Sequence, residues 1–535
     1  MKGNKIMSNY LNALQTANNY TYTDNRAITH SSTLNYLCDL FALGAAYRNH
    51  PDEDCILLFK NAYEEDPVLA LKCLYYLHDV RGGQGERRFF QVCYRWLIKH
   101  DIAAARRNLQ YIPEYSRWDN LIKICADTPL WDDCMMIVKQ QLMLDMNSVA
   151  TSPTEGISLL AKWLPSINTS SAKTKRLAYA VRIALGMTPR QYRKTLSALR
   201  DRINVLERLM SANRWDEIDF SAIPSKAGLR YRNAFARHDL ERANSNKEVQ
   251  TYEEFMRDES TTVNAKDLYP YEIVDQAINL TKEYYYWSSS RFVEDSKVDP
   301  VQRNVINKYW DNFLLTLDDL IAFNGLAIID TSSSMLSGGI KGGTPMDVAI
   351  SLGMCLAEKA KGPFAGHYIS FSSRPQLIKV EGVDFVDKVR RIYRTNLCDN
   401  TNIEATFDML LRTALHSKCK QEDLPEKIII ISDLQFDAAR GTRWWGSPGP
   451  VRNSTETLME SIEKKWNVSG YKMPELVFWN VNASTTGGNI PMEMKDGITF
   501  VSGMSASIFE ALCSGKSALD FVLDILNSER YAVIK

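Results

Sequence analysis

The segment "IIDTSSSM" sets one carboxylate and two hydroxyls at alternate positions, Asp330, Ser332 and Ser334. They follow a short apolar run, "GLAIID" (325–330), that reads as a buried strand, so the turn after it can aim all three at one point. Thr401, in "CDNTNIEATFDML", stands just before a helical pattern, in the position of a loop ligand. Asp433 ends a second apolar run, "EKIIIISD" (426–433). These oxygen-bearing side chains from three strand-end loops form a hard-ligand set. It suits Mg2+ or Mn2+, with the rest of the octahedron left to water or a partner. Neither His nor Cys belongs to the set, which argues against zinc. A plainer reading exists: a Ser-rich helix N-cap, with Asp433 an ordinary strand-end turn residue. The order and spacing of the three segments favour the metal. Thr344 is a rival for the threonine role, but it precedes Pro345 and an apolar helix, as an N-cap followed by proline at the first helical position does.

A second candidate lies earlier. Between Glu155 and Asp201 there is no acidic residue, and the stretch holds Lys162, Lys173, Lys175, Arg176, Arg182, Arg190, Arg193, Lys194 and Arg200. On adjacent helices these cations can contact phosphates, where counterion release drives binding. Trp163 and Tyr192 are candidates to stack on bases. The alternative is a solvated helical face paired with acids from elsewhere. "RGGQGERR" (81–88) also has two readings: a backbone cradle for phosphate, or a tight helix–helix turn whose arginines pair with Asp79 and Glu86, and the turn is favoured. In "PEYSRWD", Tyr115 and Trp118 read as packing residues, with Arg117 paired to Glu114 or Asp119.

The elements that must position these residues fall into two grammars. From about residue 30 to 320 the apolar spacing is helical, as in "TLNYLCDLFALGAAYR" and "RRFFQVCYRWLIKH", with short turns between. Helix pairs over this length suggest an all-α helical-repeat (HEAT-like) solenoid or ring, in which units of ~40–47 residues fit about six or seven times. The aromatic run "EYYYWSSSRF" (283–292) reads as packing at the domain junction. After about residue 322, apolar runs alternate with amphipathic helices: "GLAIID", "HYISFS", "EKIIIISD", "ELVFWNV" and "ITFVSG". That pattern indicates a doubly wound α/β domain with a mainly parallel sheet, where ligands collect at the carboxyl ends of the strands. The expected organisation is an N-terminal extension (1–29), a helical-repeat domain (30–321) and an α/β domain (322–535).

The chain has 535 residues, 45% hydrophobic and 24% charged, an ordinary globular composition too long for one core. Lys plus Arg (64) balances Asp plus Glu (64), so no global field recruits nucleic acid, and such binding needs a local patch. The ten cysteines form no CxxC and read as reduced, mostly buried thiols of a cytoplasmic protein. No signal peptide or run of about 18 apolar residues is present, so no membrane partner is expected.

The oxygen set resembles the metal-ion-dependent adhesion site of von Willebrand factor A domains, over roughly residues 322–535. The resemblance implies Ser332, Ser334 and Thr401 as metal ligands, with Asp330 and Asp433 binding directly or through water. It also implies a carboxylate from a protein partner completing the coordination. The series "YLHDVRGGQGERRFF", "YIPEYSRWDNLI", "AKWLPS" and the segment 184–239, followed by such a domain, resembles the domain-of-unknown-function family 2828. More distantly it is similar to the TROVE module of the Ro ribonucleoprotein, a helical-repeat ring closed by an A domain. That likeness implies structured or misfolded RNA as partner.

No G-x-S-x-G elbow, P-loop, G-x-G-x-x-G or H-E-x-x-H motif is present, and the seven histidines are scattered. The expectation is a non-catalytic RNA-binding protein with a Mg2+ (or Mn2+) site. A metal-dependent protein-interaction scaffold is the alternative, and a Mg2+-dependent hydrolase built on Asp330 and Asp433 comes third, since such enzymes usually gather more carboxylates and a second metal.

Overall fold

The computed structural model describes residues 19–152, 156–245, 248–284, 290–292, 297–317, 324–337, 343–371, 375–394, 402–436, 457–482, 489–512 and 518–535. The chain divides into two compact units: Met1–Cys73 with Ala265–Ser528, and Leu74–Asn264 with Glu529–Lys535. This line does not follow the change of grammar at residue 322. Segments on both sides of the helical stretch pack with the sheet, and the end of the chain packs with the helices.

The first unit opens with an antiparallel hairpin, β1 (Tyr20–Tyr22) and β2 (Ile28–His30). A second antiparallel pair is β3 (Lys282–Tyr284) and β4 (Ser290–Phe292). Those two strands are the ends of the aromatic run, whose middle lies outside the described residues. The main strands are β5 (Gly325–Asp330), β6 (His367–Phe371), β7 (Gln376–Lys379), β8 (Lys427–Ser432), β9 (Glu475–Asn480) and β10 (Ile498–Ser502). Their spatial order is β7-β6-β5-β8-β9-β10, parallel except for β7, which runs antiparallel at the edge. All of β5 and nearly all of β8 are buried, as continuous Ile-rich runs between helices must be. The edge strand β7 is largely exposed and holds only two apolar residues, so no apolar run marks it in the sequence.

Helices cover the sheet. Pro345–Lys359 lies close enough to β5 that a Cβ on Gly353 would sit 2.1 Å from Ile329 Cδ1. Tyr36–Leu43 is tied to β10: Ser502 Oγ donates to the Phe41 carbonyl (3.0 Å) and accepts from Ala45 N (3.2 Å). In Pro300–Leu315, Trp310 stacks on Phe385 at 4.2 Å and Arg303 pairs with Asp384. The helices Tyr36–Leu43 and Pro300–Leu315 therefore belong to the α/β unit.

The second unit is helical, including Arg88–His100, Trp131–Thr151, Ala172–Ala184 and Pro189–Arg202. "RGGQGE" forms the tight turn. A Cβ on Gly83 would fall 1.9 Å from the Tyr76 carbonyl oxygen, so only glycine fits. Asp79, fully buried in that turn, pairs with Arg530 rather than with a neighbouring arginine, and it also accepts from Tyr531 OH (3.0 Å) and Arg81 N (2.9 Å). Tyr531 stacks on Tyr115, which is itself buried, and Arg117 pairs with Asp119 at 2.8 Å. No helix among the described residues is long and apolar enough to cross a membrane.

Candidate metal centre and basic face

The chain leaves β5 for β6 on one side and returns through β8 on the other, so the carboxyl ends of β5 and β8 flank the point where strand order reverses. Crevices form at such points. Asp330 ends β5 and is fully buried, and Asp433 follows β8 at 5% exposure. Asp330 Oδ1 accepts the Ser332 amide at 2.9 Å, and its Oδ2 accepts the Ser432 hydroxyl at 2.6 Å. Asp433 Oδ1 accepts the Gln435 amide at 3.1 Å. Leu434 takes a left-handed conformation (φ 59°), which turns the chain sharply behind it.

Ser332 stands at the N-cap of the short 3-10 turn Ser333–Leu336, yet its hydroxyl makes no capping bond. It meets the Ser334 hydroxyl at 3.0 Å instead. Two oxygens bound side by side on octahedral Mg2+, each at about 2.1 Å, lie about 3 Å apart. The Ser334 hydroxyl in turn hydrogen-bonds the Asp433 carboxyl. Asp330, Ser332, Ser334 and Asp433 are thus brought together. Thr401 lies outside the described residues, and Asn402 caps the helix Ile403–His416 that follows it. Thr344 caps Pro345–Lys359 through a box with Asp347, as its place before Pro345 implied.

The electrostatics fit a cation. Burial, and then the charge of Asp433, push the Asp330 carboxyl up to about 7, against the opposing bonds from Ser432 and Ser332. Burial also raises Asp433, the Ser334 bond opposes it, and the charge of Asp24 adds to it. Two adjacent buried carboxylates that resist ionisation, with hydroxyls beside them, form a donor set a hard divalent ion satisfies. The buried Asn480 amide at the end of β9, opposite Ser432 in the register, keeps Nδ2 without a hydrogen-bond partner.

Spacing did not disclose several participants. Ser432 adjoins Asp433 in "SD", but one hydroxyl in an apolar strand carries no ligand pattern. Asp24 and Gln435 meet only through the fold: Asp24 N donates to Gln435 Oε1 at 2.7 Å. A further group, His30, Glu460 and Glu493, places its ligand atoms within 4.8 Å of one another, with His30 Nε2 and Glu460 Oε1 3.0 Å apart. Its members come from a strand, a helix and a loop, which no local motif links.

In the helical unit, Lys173, Lys175 and Arg176 lie on Ala172–Ala184, and Arg190, Arg193 and Lys194 on Pro189–Arg202. These six are exposed, and among the described residues no carboxylate lies within ion-pair distance of any of them. The other three are placed differently. Arg200 spends its guanidinium on the carbonyls of Ala161 and Leu164 and on Ser166 Oγ, at 2.8–2.9 Å. Arg182 is half-buried and reaches the Met187 carbonyl, and Lys162 is half-buried beside Trp163. The stacking expectation fails for Tyr192, which is 1% exposed and donates to the Pro165 carbonyl. Tyr192 falls on the inward side of an amphipathic helix, where an aromatic fills core space. The face of Trp163 is covered by Arg117, 4.0 Å from the ring centroid.

Eight cysteines are described and none of them forms a disulfide; seven are buried and Cys419 is half-buried. Burial pushes the Cys38 thiol up to about 12, as in an inert packing residue.

The chain is thus a helical region joined to a doubly wound α/β region with an oxygen-rich crevice at its switch point. Residues 23–139 and 185–320 match the family described as Domain of unknown function (DUF2828). Residues 324–522 match Domain of unknown function (DUF7788). An uncharacterized protein of Acanthamoeba polyphaga mimivirus is 29% identical over 526 residues, spanning 93% of this chain and 85% of that protein. A solved structure, the Ro (RSR) protein of Deinococcus radiodurans, aligns over 93% of this chain and 100% of its own. It does so at 11% identity and a TM-score of 0.39, too low to establish a shared fold.

Proposed function

We propose that the protein is a non-catalytic RNA-binding protein whose α/β unit holds one Mg2+ in an adhesion site of the von Willebrand factor A type. The convergence of Asp330, Ser332, Ser334 and Asp433 at the strand-order switch point carries this reading. The six-stranded α/β sheet, with its strand order reversing between β5 and β8, supports a ligand crevice at that end. Mg2+ would be held by Ser332, Ser334 and Thr401, with Asp330 and Asp433 direct or one water away. Bound there, it supplies a Lewis-acidic coordination position that a ligand oxygen can fill. Hydroxyls suit capture better than water activation, which favours binding over hydrolysis.

RNA as the ligand of the helical unit rests on the six exposed, unpaired cations of two successive helices. Phosphate contacts there release counterions and are sequence-independent. The sequence resemblance to TROVE modules points the same way. Nucleic acid extracted from natively purified protein is the test, with Arg190→Glu/Arg193→Glu/Lys194→Glu as control. Discrete RNA species in the wild type, absent from the variant, are expected. Equal RNA in both would remove the basic face from the account. No RNA in either would leave the metal-dependent protein scaffold, a reading the hydroxyl-rich site favours by itself.

A further inference from the structure

The hairpin β1–β2, expected as a separate N-terminal extension, is fastened to the α/β unit at both ends. At its tip, Thr23 Oγ1 donates to the Phe436 carbonyl (2.8 Å) and Asn25 Nδ2 to the Gln435 carbonyl (2.7 Å), both just after β8. At its far end, His30 exchanges both backbone bonds with Ile490, and Thr29 Oγ1 donates to the Ile490 carbonyl at 3.0 Å. This pairing sets the His30 ring beside the loop that carries Glu493. The helix Leu458–Val468 reaches the same loop, where Lys495 pairs with Glu463 at 2.5 Å.

Glu460 stands in the first turn of that helix, in a capping box with Thr457. Its Oε2 accepts the Thr457 amide at 2.8 Å, which orients the carboxylate and presents Oε1 to His30 Nε2 at 3.0 Å. A ligating carboxylate is commonly held by such an outer hydrogen bond. His30 is 0% exposed, and its Nδ1 has no hydrogen-bond partner among the described residues. The one side-chain hydrogen bond of this buried ring therefore points at the glutamates. Glu493 completes the group, whose ligand atoms all lie within 4.8 Å of one another. Among the described residues no lysine or arginine lies within ion-pair distance of Glu460 or Glu493; Lys495, next along the loop, spends its charge on Glu463. Two carboxylates thus converge on one imidazole with no fixed cation between them.

We infer that His30, Glu460 and Glu493 form a second metal site, for a borderline ion of the Zn2+ class, that clips the hairpin to the helix and the loop. Imidazole selects such an ion over Mg2+, and three protein ligands leave a fourth position to water. Tetrahedral Zn2+ sets its ligand atoms about 3.3 Å apart. The His30–Glu460 spacing is already near that, and the exposed Glu493 side chain can swing in. The metal takes the place of the proton between Nε2 and Oε1. This site shares no residue with the Mg2+ centre and does not depend on it.

Co2+ titration of the chelator-treated full chain tests this, with Co2+ standing in for Zn2+ and read by its visible absorption. Excess Mg2+ is present throughout, and Asp433→Asn is run alongside to silence the other centre. One Co2+ should bind with a tetrahedral spectrum, be displaced by Zn2+, and be retained in Asp433→Asn. Glu493→Gln alters an exposed side chain, and Glu460→Gln keeps a residue that can complete the capping box; melting in chelator verifies both folds. Each should weaken Co2+ binding by at least about tenfold, since loss of even an outer partner does so. Wild-type affinity in either variant, or no tetrahedral Co2+ in the wild type, would overturn the inference. Co2+ lost only in Asp433→Asn would also overturn it, by assigning the ion to the Asp330 centre.

Discussion

Asp79 in the helical unit and Asp330 in the α/β unit are both fully buried carboxylates, and the fold treats them in opposite ways. Asp79 receives the Arg530 guanidinium through two nitrogens, a tyrosine hydroxyl and a backbone amide. Asp330 receives a serine hydroxyl and an amide, and its charged neighbour is another aspartate. A buried acid is tolerated when it is paired. The first is a completed structural joint that pins the chain end Glu529–Lys535 into the helices. The second sits beside another acid, and the hydroxyls around it fit the hard cation proposed above.

The comparison breaks if removing charge has the same consequence at both places. Arg530→Ala should cost the most, about 3 kcal/mol of unfolding free energy, because it strands a buried charge. Chemical denaturation followed by a probe in the helical unit measures this, and a cost within about 0.5 kcal/mol would make the pair an ordinary surface bridge.

At Asp330 the sign reverses. Its folded pKa lies above the unfolded value of about 4. The folded state therefore holds a proton that the unfolded state has lost. Metal-free protein should lose stability relative to Asp330→Asn as pH rises from about 4 to about 7, and level off above. Melting curves across that range in chelator decide it, and parallel profiles for the two proteins would show that the acids do not strain the apo state.

Smallest in folding energy, and sharpest as a contrast, is the basic face. Reversing Arg190, Arg193 and Lys194 removes exposed, unpaired charges, so unfolding should shift by less than about 0.5 kcal/mol. If RNA binds there, the salt dependence of its affinity should become shallower by roughly one unit of slope per lost phosphate contact.

Much of the α/β unit was legible because its strands are continuous apolar runs: "GLAIID" is β5 from end to end, and "EKIIIISD" brackets β8. The oxygen set was legible for the same reason, since the ends of apolar strands fix where Asp330 and Asp433 must stand. What stayed hidden depends on partners far apart in sequence. Nothing around Asp79 announces Arg530, whose residue must return from the end of the chain. Nothing in "TYTDNRA" marks a turn bound for the loop after β8, because a short polar hairpin carries no periodicity. Net charge also could not separate exposed from buried cations. Arg200 and Arg190 look alike in sequence, yet one closes a helix end with its guanidinium and the other faces solvent.

The most direct test of the metal centre is thermal unfolding of chelator-treated protein with increasing Mg2+, alongside Asp433→Asn. At about 100 times the dissociation constant, binding to the folded state alone adds about 2.7 kcal/mol. The wild type should therefore melt several degrees higher as Mg2+ rises, while the variant stays flat. Identical Mg2+ responses in the two proteins, or none in the wild type, would contradict a cation at Asp330, Ser332, Ser334 and Asp433.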